Sequence, residues 1–124
     1  MTFAVTPTRD STWIATKALE HLLKASVDNP PAAEDMNVAL DALDSLASSL
    51  ALRGIIMIAD LDAVTSGIAD ELSFRLAIAL KPTFGDDTPD GQGSLGSAAG
   101  REANLRRMDA ISAQGFGPQK VSFW

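Results

Sequence analysis

The sequence predicts an all-α domain of four helices with long loops and an extended C-terminal tail. Apolar residues recur at intervals of three and four along four segments, and Pro or Gly residues separate those segments. No repeat at solenoid spacing is present. With 124 residues, the chain has the usual size of one domain and is long enough to bury one core.

The first helix is predicted to begin at Asp10 or Ser11, since either side chain can accept hydrogen bonds from the free N–H groups of a first turn. It should end before Pro30 and Pro31, which break helices. Its apolar stripe comprises Ile14, Ala18, Leu19, Leu22, Leu23 and Ala25.

The second helix is predicted to start near residues 32–34, with Glu34 and Asp35 favourably placed at its positive end. Gly54 is the expected C-cap. The stripe comprises Met36, Leu40, Leu43, Leu46, Ala47 and Leu50, with Asp41, Asp44, Ser45 and Ser48 mainly on the other side.

Residues 55–67 are compatible with either a short β-rich segment or an extended connector. A third helix is predicted from Thr65 to Leu80, ended by Lys81 and Pro82. It is apolar over much of its circumference, which is typical of a helix at the centre of a core. Its predicted apolar residues are Ile68, Leu72, Phe74, Leu76, Ile78, Ala79 and Leu80.

The fourth helix is predicted to run from Ser94 or Ser97 to Ile111. Its apolar side comprises Leu95, Ala98, Leu105, Met108 and Ile111. The predicted organisation is therefore a helical core over residues 1–112 followed by a tail over residues 113–124.

Composition narrows the function classes. The net charge of −6 opposes nonspecific binding to nucleic acid, and the absence of cysteine excludes disulfides and thiolate sites. The start of the chain lacks the pattern of a signal peptide, and no apolar run reaches the roughly 18 residues of a membrane span. We expect a soluble protein that is intracellular when made, with no membrane partner.

Gly91, Gly93 and Gly96 form a G-x-G-x-x-G pattern. A dinucleotide fingerprint needs a buried strand before it, whereas here "GDDTPD" precedes it. No Walker lysine follows, and the aspartates would repel phosphate. We predict a mobile interhelical loop and no bound cofactor.

The acidic loop could also be aligned with a calcium loop starting at Asp86, with Asp90 at its fifth position. The twelfth position, which needs a bidentate Glu, is Ser97. We therefore predict a solvated acidic loop and no metal site.

Catalytic groups are not indicated. His21 is the only histidine, no G-x-S-x-G elbow accompanies it, and a partly exposed polar role in the first helix is predicted. The carboxylate pairs Asp70–Glu71 and Asp60–Asp62 are predicted to be solvated surface. We predict that the protein is not an enzyme.

Arg101, Arg106 and Arg107 could contact DNA phosphates. Since only some of them share a helix face, ion pairing within the chain or with another subunit is favoured over DNA. They are predicted as possible subunit or DNA-channel contacts.

The tail carries apolar side chains in a segment rich in glycine. Ordering it costs more free energy than burial of Val121, Phe123 and Trp124 returns. Docking on a partner, as an added strand or an aromatic anchor, is therefore favoured over disorder in the free monomer.

Three segments resemble the head-to-tail adaptor proteins of tailed phages, in particular the tail accessory factor (packaged-DNA stabilisation) family of short-tailed phages. They are "TWIATKALEHLLKAS", "AAEDMNVALDALDSLASSLALRGI" and "GIADELSFRLAIALKPTFG". A further segment, "GREANLRRM", takes the place of the family's fourth helix, which is rich in small residues, and together these cover roughly residues 10–112. The Gly-rich loop "GDDTPDGQGSLGS" and the short tail depart from the family.

The resemblance implies a structural protein of the virion at the head–tail interface, present in the host cytoplasm during assembly. Copies of the chain would form a ring, commonly of twelve, under the portal protein ring. The ring would extend the channel for packaged DNA, without sequence-specific binding, and support a downstream tail or nozzle protein. Phe116, Val121, Phe123 and Trp124 would contact the portal or a neighbouring subunit.

Two alternatives stay open. A small helical regulator that binds DNA or another protein would use Arg101 to Arg107 as its basic face. A nucleotide-binding enzyme would use Gly91 to Gly96, and stabilisation by ATP, GTP or NAD would reveal it.

Overall fold

The computed structural model of the protein describes residues 7–23 and 28–115, with side chains described up to Ile111. It contains β1 (Thr8–Arg9), α1 (Ser11–His21), α2 (Ala33–Leu52), β2 (Val64–Thr65), α3 (Ser66–Leu80) and α4 (Ala98–Gly115). The predicted all-α architecture with four helices is confirmed. In the described ranges the only sheet is a short antiparallel pair, with Thr8 opposite Thr65 and Arg9 opposite Val64.

α3 is the central helix, as its apolar circumference predicts. α1, α2 and α4 all pack against it, and so do both strands. Leu72, Leu76 and Leu80 are almost completely buried. Ala79 is exposed, contrary to its predicted place on the apolar face, and Ser73 takes a buried position.

α1 begins where the capping signal predicts. Asp10 is the N-cap, and its carboxylate accepts a 2.8 Å hydrogen bond from the backbone N–H of Trp13. The helix ends at His21, earlier than Pro30 requires, and Leu23 has the left-handed φ of 62°. Leu23 is therefore 89% exposed, although it was predicted to extend the apolar stripe.

α2 ends in a Schellman motif at the predicted glycine. The N–H of Ile55 donates to the carbonyl of Leu50 at 2.9 Å, and the N–H of Gly54 donates to that of Ala51 at 3.1 Å. Gly54 adopts the φ of +70° that this motif requires. The turn buries both Leu50 and Ile55 and directs the chain back toward the core.

Residues 55–63 form the connector that the sequence left ambiguous. It is irregular until β2, with Ile55 and Ile56 buried and Met57 73% exposed. Asp62 joins it to the start of α1, because its carboxylate accepts from both the N–H and the hydroxyl of Ser11, at 3.2 and 2.7 Å.

α4 begins at the later of its two predicted starts and ends after its predicted end. It begins at Ala98 after Ser97, whose hydroxyl accepts from the N–H of Gly100 at 2.9 Å, so a start at Ser94 was wrong. It continues to Gly115, past the predicted end at Ile111, so the predicted boundary between residues 112 and 113 falls within a helix.

Candidate functional site: the fourth helix and its arginines

Arg101 fixes the first turn of α4 to the core. Its guanidinium donates to Glu71 of α3 at 3.0 Å and to the carbonyl oxygen of Leu95 at 2.8 Å. It also lies 4.0 Å from the ring centroid of Phe74, a cation–π distance. Of the predicted pairings for Arg101, the structure therefore shows the one within the chain.

Glu71 is the main correction to the predicted candidate residues. Both Glu71 and Asp70 were expected on the solvated surface. Asp70 is exposed, but Glu71 is buried, with only 9% of its surface exposed. Its Oε1 pairs with Arg101, while Oε2 is buried without a hydrogen-bond partner in the described part of the chain. A buried carboxylate requires a counter-charge, and that counter-charge comes from a helix 30 residues away.

His21 of α1 contacts the same part of α3 as Arg101 does. Its ring stacks on Phe74 with centroids 4.0 Å apart, and its Nε2 lies 3.1 Å from the hydroxyl of Ser73. Because the Ser73 hydroxyl donates to the Asp70 carbonyl at 2.6 Å, Ser73 is left as the acceptor for a proton on Nε2. Burial is the main cause that lowers the pKa of His21, and the negative charge of Asp70 opposes it.

Glu102 forms a second ion-pair cluster beside Arg101. Arg53, just after α2, donates to its two carboxylate oxygens at 2.7 and 3.0 Å, and Arg75 of α3 donates at 2.8 Å. The hydrogen bond from Arg53 is the main cause that holds the pKa of Glu102 below its usual range, with burial opposing it and Arg75 adding to it. Sequence patterns did not indicate Arg53, Arg75 or Glu102, since each contact joins separate helices.

Beyond Leu105, the face of α4 opposite α3 is open. Leu105 is fully buried, but Arg106 and Arg107 are exposed and form no ion pair with a described residue. Arg107 donates to the amide oxygen of Asn104 at 3.0 Å. Ile111 is 59% exposed, which corrects its predicted apolar placement: a spacing of six residues from Leu105 turns it away from α3.

The glycine-rich loop is irregular, as expected. Gly91, Gly93 and Gly96 all have positive φ, and none of residues 81–97 forms a strand. The carboxylate of Asp90 accepts from the N–H of Ala98 at 2.9 Å, which places a negative charge at the start of α4. Within residues 7–23 and 28–115, no group of three or more His, Asp or Glu side chains could hold a metal ion.

The predicted tail contacts, Phe116, Val121, Phe123 and Trp124, lie outside the described residues. In the part of the chain that is described, no helix is long and apolar enough to cross a membrane. Comparison with protein-family models, curated proteins and solved structures finds no match.

Proposed function

We propose that the protein is a head-to-tail adaptor subunit of a phage or prophage-derived connector. Copies of it assemble as a ring under the portal, extend the DNA channel and form the platform for later tail proteins. It performs no catalysis in this role.

The observation that supports the proposal most is the way α4 is attached. Arg101, Glu102 and Leu105 hold its first turns to α3, while Arg106 and Arg107 face solvent. The rest of the helix continues to Gly115, the residue before Phe116 in the sequence. A helix fixed at one end and open at the other can present both an outer face and a terminal segment to a partner.

The order of the helices also supports it. The three segments that carry the resemblance fall largely on α1, α2 and α3, and "GREANLRRM" lies in α4, with the glycine stop after α2 and the proline stop after α3. The net charge of −6 suits a channel through which DNA moves, since a wall that holds few phosphates lets DNA slide.

Co-sedimentation with the portal ring encoded beside this chain tests the proposal. Full-length protein should sediment with the ring, and a variant that lacks residues 117–124 should be lost from it. If the full-length protein does not sediment with the ring, under conditions where both components are folded, the adaptor function is contradicted.

The exposure of Arg106 and Arg107 keeps a second candidate, a small regulator that binds DNA or another protein. Salt-sensitive DNA binding by the isolated chain, lost in the Arg106→Glu/Arg107→Glu variant, would favour it. The adaptor function instead requires retention on the portal at salt concentrations where nonspecific DNA binding has disappeared.

A further inference from the structure

We propose that the outer faces of α2 and α4 are the two halves of a head-to-tail contact between copies of this chain. This inference rests on the proposed ring function and names the surfaces that build the ring. The acidic half lies on α2 and the basic half on α4.

The acidic half has an unbalanced charge. α2 contains Glu34, Asp35, Asp41 and Asp44 but no Lys or Arg. Asp41 and Asp44 are exposed and form no ion pair or hydrogen bond with another described side chain. On the same outer side, Leu52 is 88% exposed.

A groove beside Asp44 gives this half an apolar floor. It has a volume of about 360 Å³ and lies between α2 and the connector. Asp44 and Asp60 border it, while Ala47, Ala51, Met57, Ile58 and Leu61 form its apolar lining.

The basic half has the opposite charge to the acidic half. Arg106 and Arg107 form no ion pair with a described carboxylate, and the face keeps a positive charge although the exposed Asp109 lies three residues from Arg106. Ala103 and Ala110 are exposed on the same face, so a partner can approach the helix closely. The exposed Ile111 offers an apolar group for the groove.

The two halves do not pair with each other within one molecule. α4 packs mainly on α3, α2 packs on α1 and α3, and no ion pair joins Arg106 or Arg107 to Asp41 or Asp44. A contact between unlike faces leaves one free half at each end, and repeated contacts of this kind form a ring when the rotation between copies closes. Nucleic acid could bind the arginine face but not the acidic groove, because its phosphates would be repelled by the aspartates there. A second copy of the chain can cover both faces and is therefore favoured as the partner.

Charge reversal tests the contact in the full chain. Sedimentation velocity should show at least tenfold weaker self-association for Arg106→Glu/Arg107→Glu and for Asp41→Lys/Asp44→Lys. The variant with all four changes should return to within a few fold of the original protein, because the complementarity is restored with opposite sign. Asp87→Lys, at an exposed site on the loop between α3 and α4 and outside both helices of the contact, is the control and should not alter association.

Cross-linking covers the case in which copies assemble only on the portal. The chain contains no cysteine, so Asp44→Cys and Arg107→Cys each introduce a single thiol. A short bismaleimide should join Asp44→Cys to Arg107→Cys in a mixture on the ring, and should join neither variant to Asp87→Cys.

The outcomes separate this inference from the adaptor function. Portal binding without the Asp44–Arg107 cross-link overturns the contact and leaves the adaptor function standing. Self-association through these faces without portal binding supports the contact between copies and contradicts the adaptor function. If Arg106→Glu/Arg107→Glu abolishes DNA retention but leaves self-association and cross-linking between copies unchanged, the arginine face serves nucleic acid and the contact is wrong.

Discussion

Arg101 and Glu71 form a 3.0 Å ion pair between α4 and α3, and their side chains are only 20% and 12% exposed. Removing the arginine leaves a buried carboxylate with no counter-charge. We expect Arg101→Met to lower the free energy of unfolding by about 2–4 kcal/mol, below the full cost for a deeply buried pair because some solvent reaches it.

Urea unfolding measures this loss. Arg107→Met is the matched control on the exposed face and should change stability by less than about 0.5 kcal/mol. Glu71→Leu/Arg101→Met should recover most of the loss, since no charge is then left unpaired. Equal effects of Arg101→Met and Arg107→Met would show that the ion pair does not stabilise the fold.

His21 should make stability depend on pH near neutrality. Burial, opposed by Asp70, lowers its folded pKa from the ordinary value of 6.5, so the unfolded chain takes up a proton first. This contribution to stability is present above 6.5 and decreases as the pH falls from there through the lower folded pKa. Since the chain has one histidine, its imidazole NMR signal reports the folded pKa directly.

His21→Gln should flatten the decrease in melting temperature between about pH 7.5 and 5.5, because the titrating group is gone. Asn37→Gln, at an exposed position of α2, keeps the imidazole and its charged neighbours and should retain the slope. A folded pKa at or above 6.5 in the NMR titration would contradict the expected direction.

Glu102 should make stability depend on pH in a more acidic range than His21 does. Its pKa lies below the ordinary 4.5, mainly because Arg53 hydrogen-bonds the carboxylate, so its stabilisation is complete above 4.5 and is lost as the pH falls through the folded pKa. Glu102→Gln should therefore reduce the dependence of unfolding free energy on pH below about 5. Glu34→Gln removes an exposed carboxylate instead and should preserve most of that dependence.

Gly54 should resist substitution for a conformational reason. A Cβ at this position would meet nothing within 4 Å, but the φ of +70° is unfavourable for alanine. We expect Gly54→Ala to lower stability by about 1 kcal/mol. Gly67→Ala is the matched control in the first turn of α3, where φ is ordinary and space is open, and it should raise stability by about 0.5–1 kcal/mol. Similar changes in thermal unfolding for both variants would contradict this reason.

The helices were predictable because their signals are local. Asp10 caps α1 from three residues away, Gly54 ends α2, and Lys81 with Pro82 follows the last residue of α3. Each of these features depends on neighbours in sequence, and each occurs at the expected place.

The candidate site was less predictable because its contacts are long-range. The burial of Glu71 depends on Arg101, and the cluster at Glu102 brings together Arg53 and Arg75 from other parts of the chain. α4 also has weak apolar periodicity, since its first turns dock through charged groups with Leu105 as the fully buried apolar anchor. That is why Ile111 was misplaced.

The attachment of α4 has a mechanical consequence. Tension applied at the C-terminal end reaches the rest of the domain mainly through the short stretch from Arg101 to Leu105, where two ion-pair clusters and the fully buried Leu105 attach α4. α1, α2 and α3 pack mutually and do not share that single seam. Under pulling, α4 should peel away first, as a separate low-force step, and acid or high salt should lower that force before it affects the other helices.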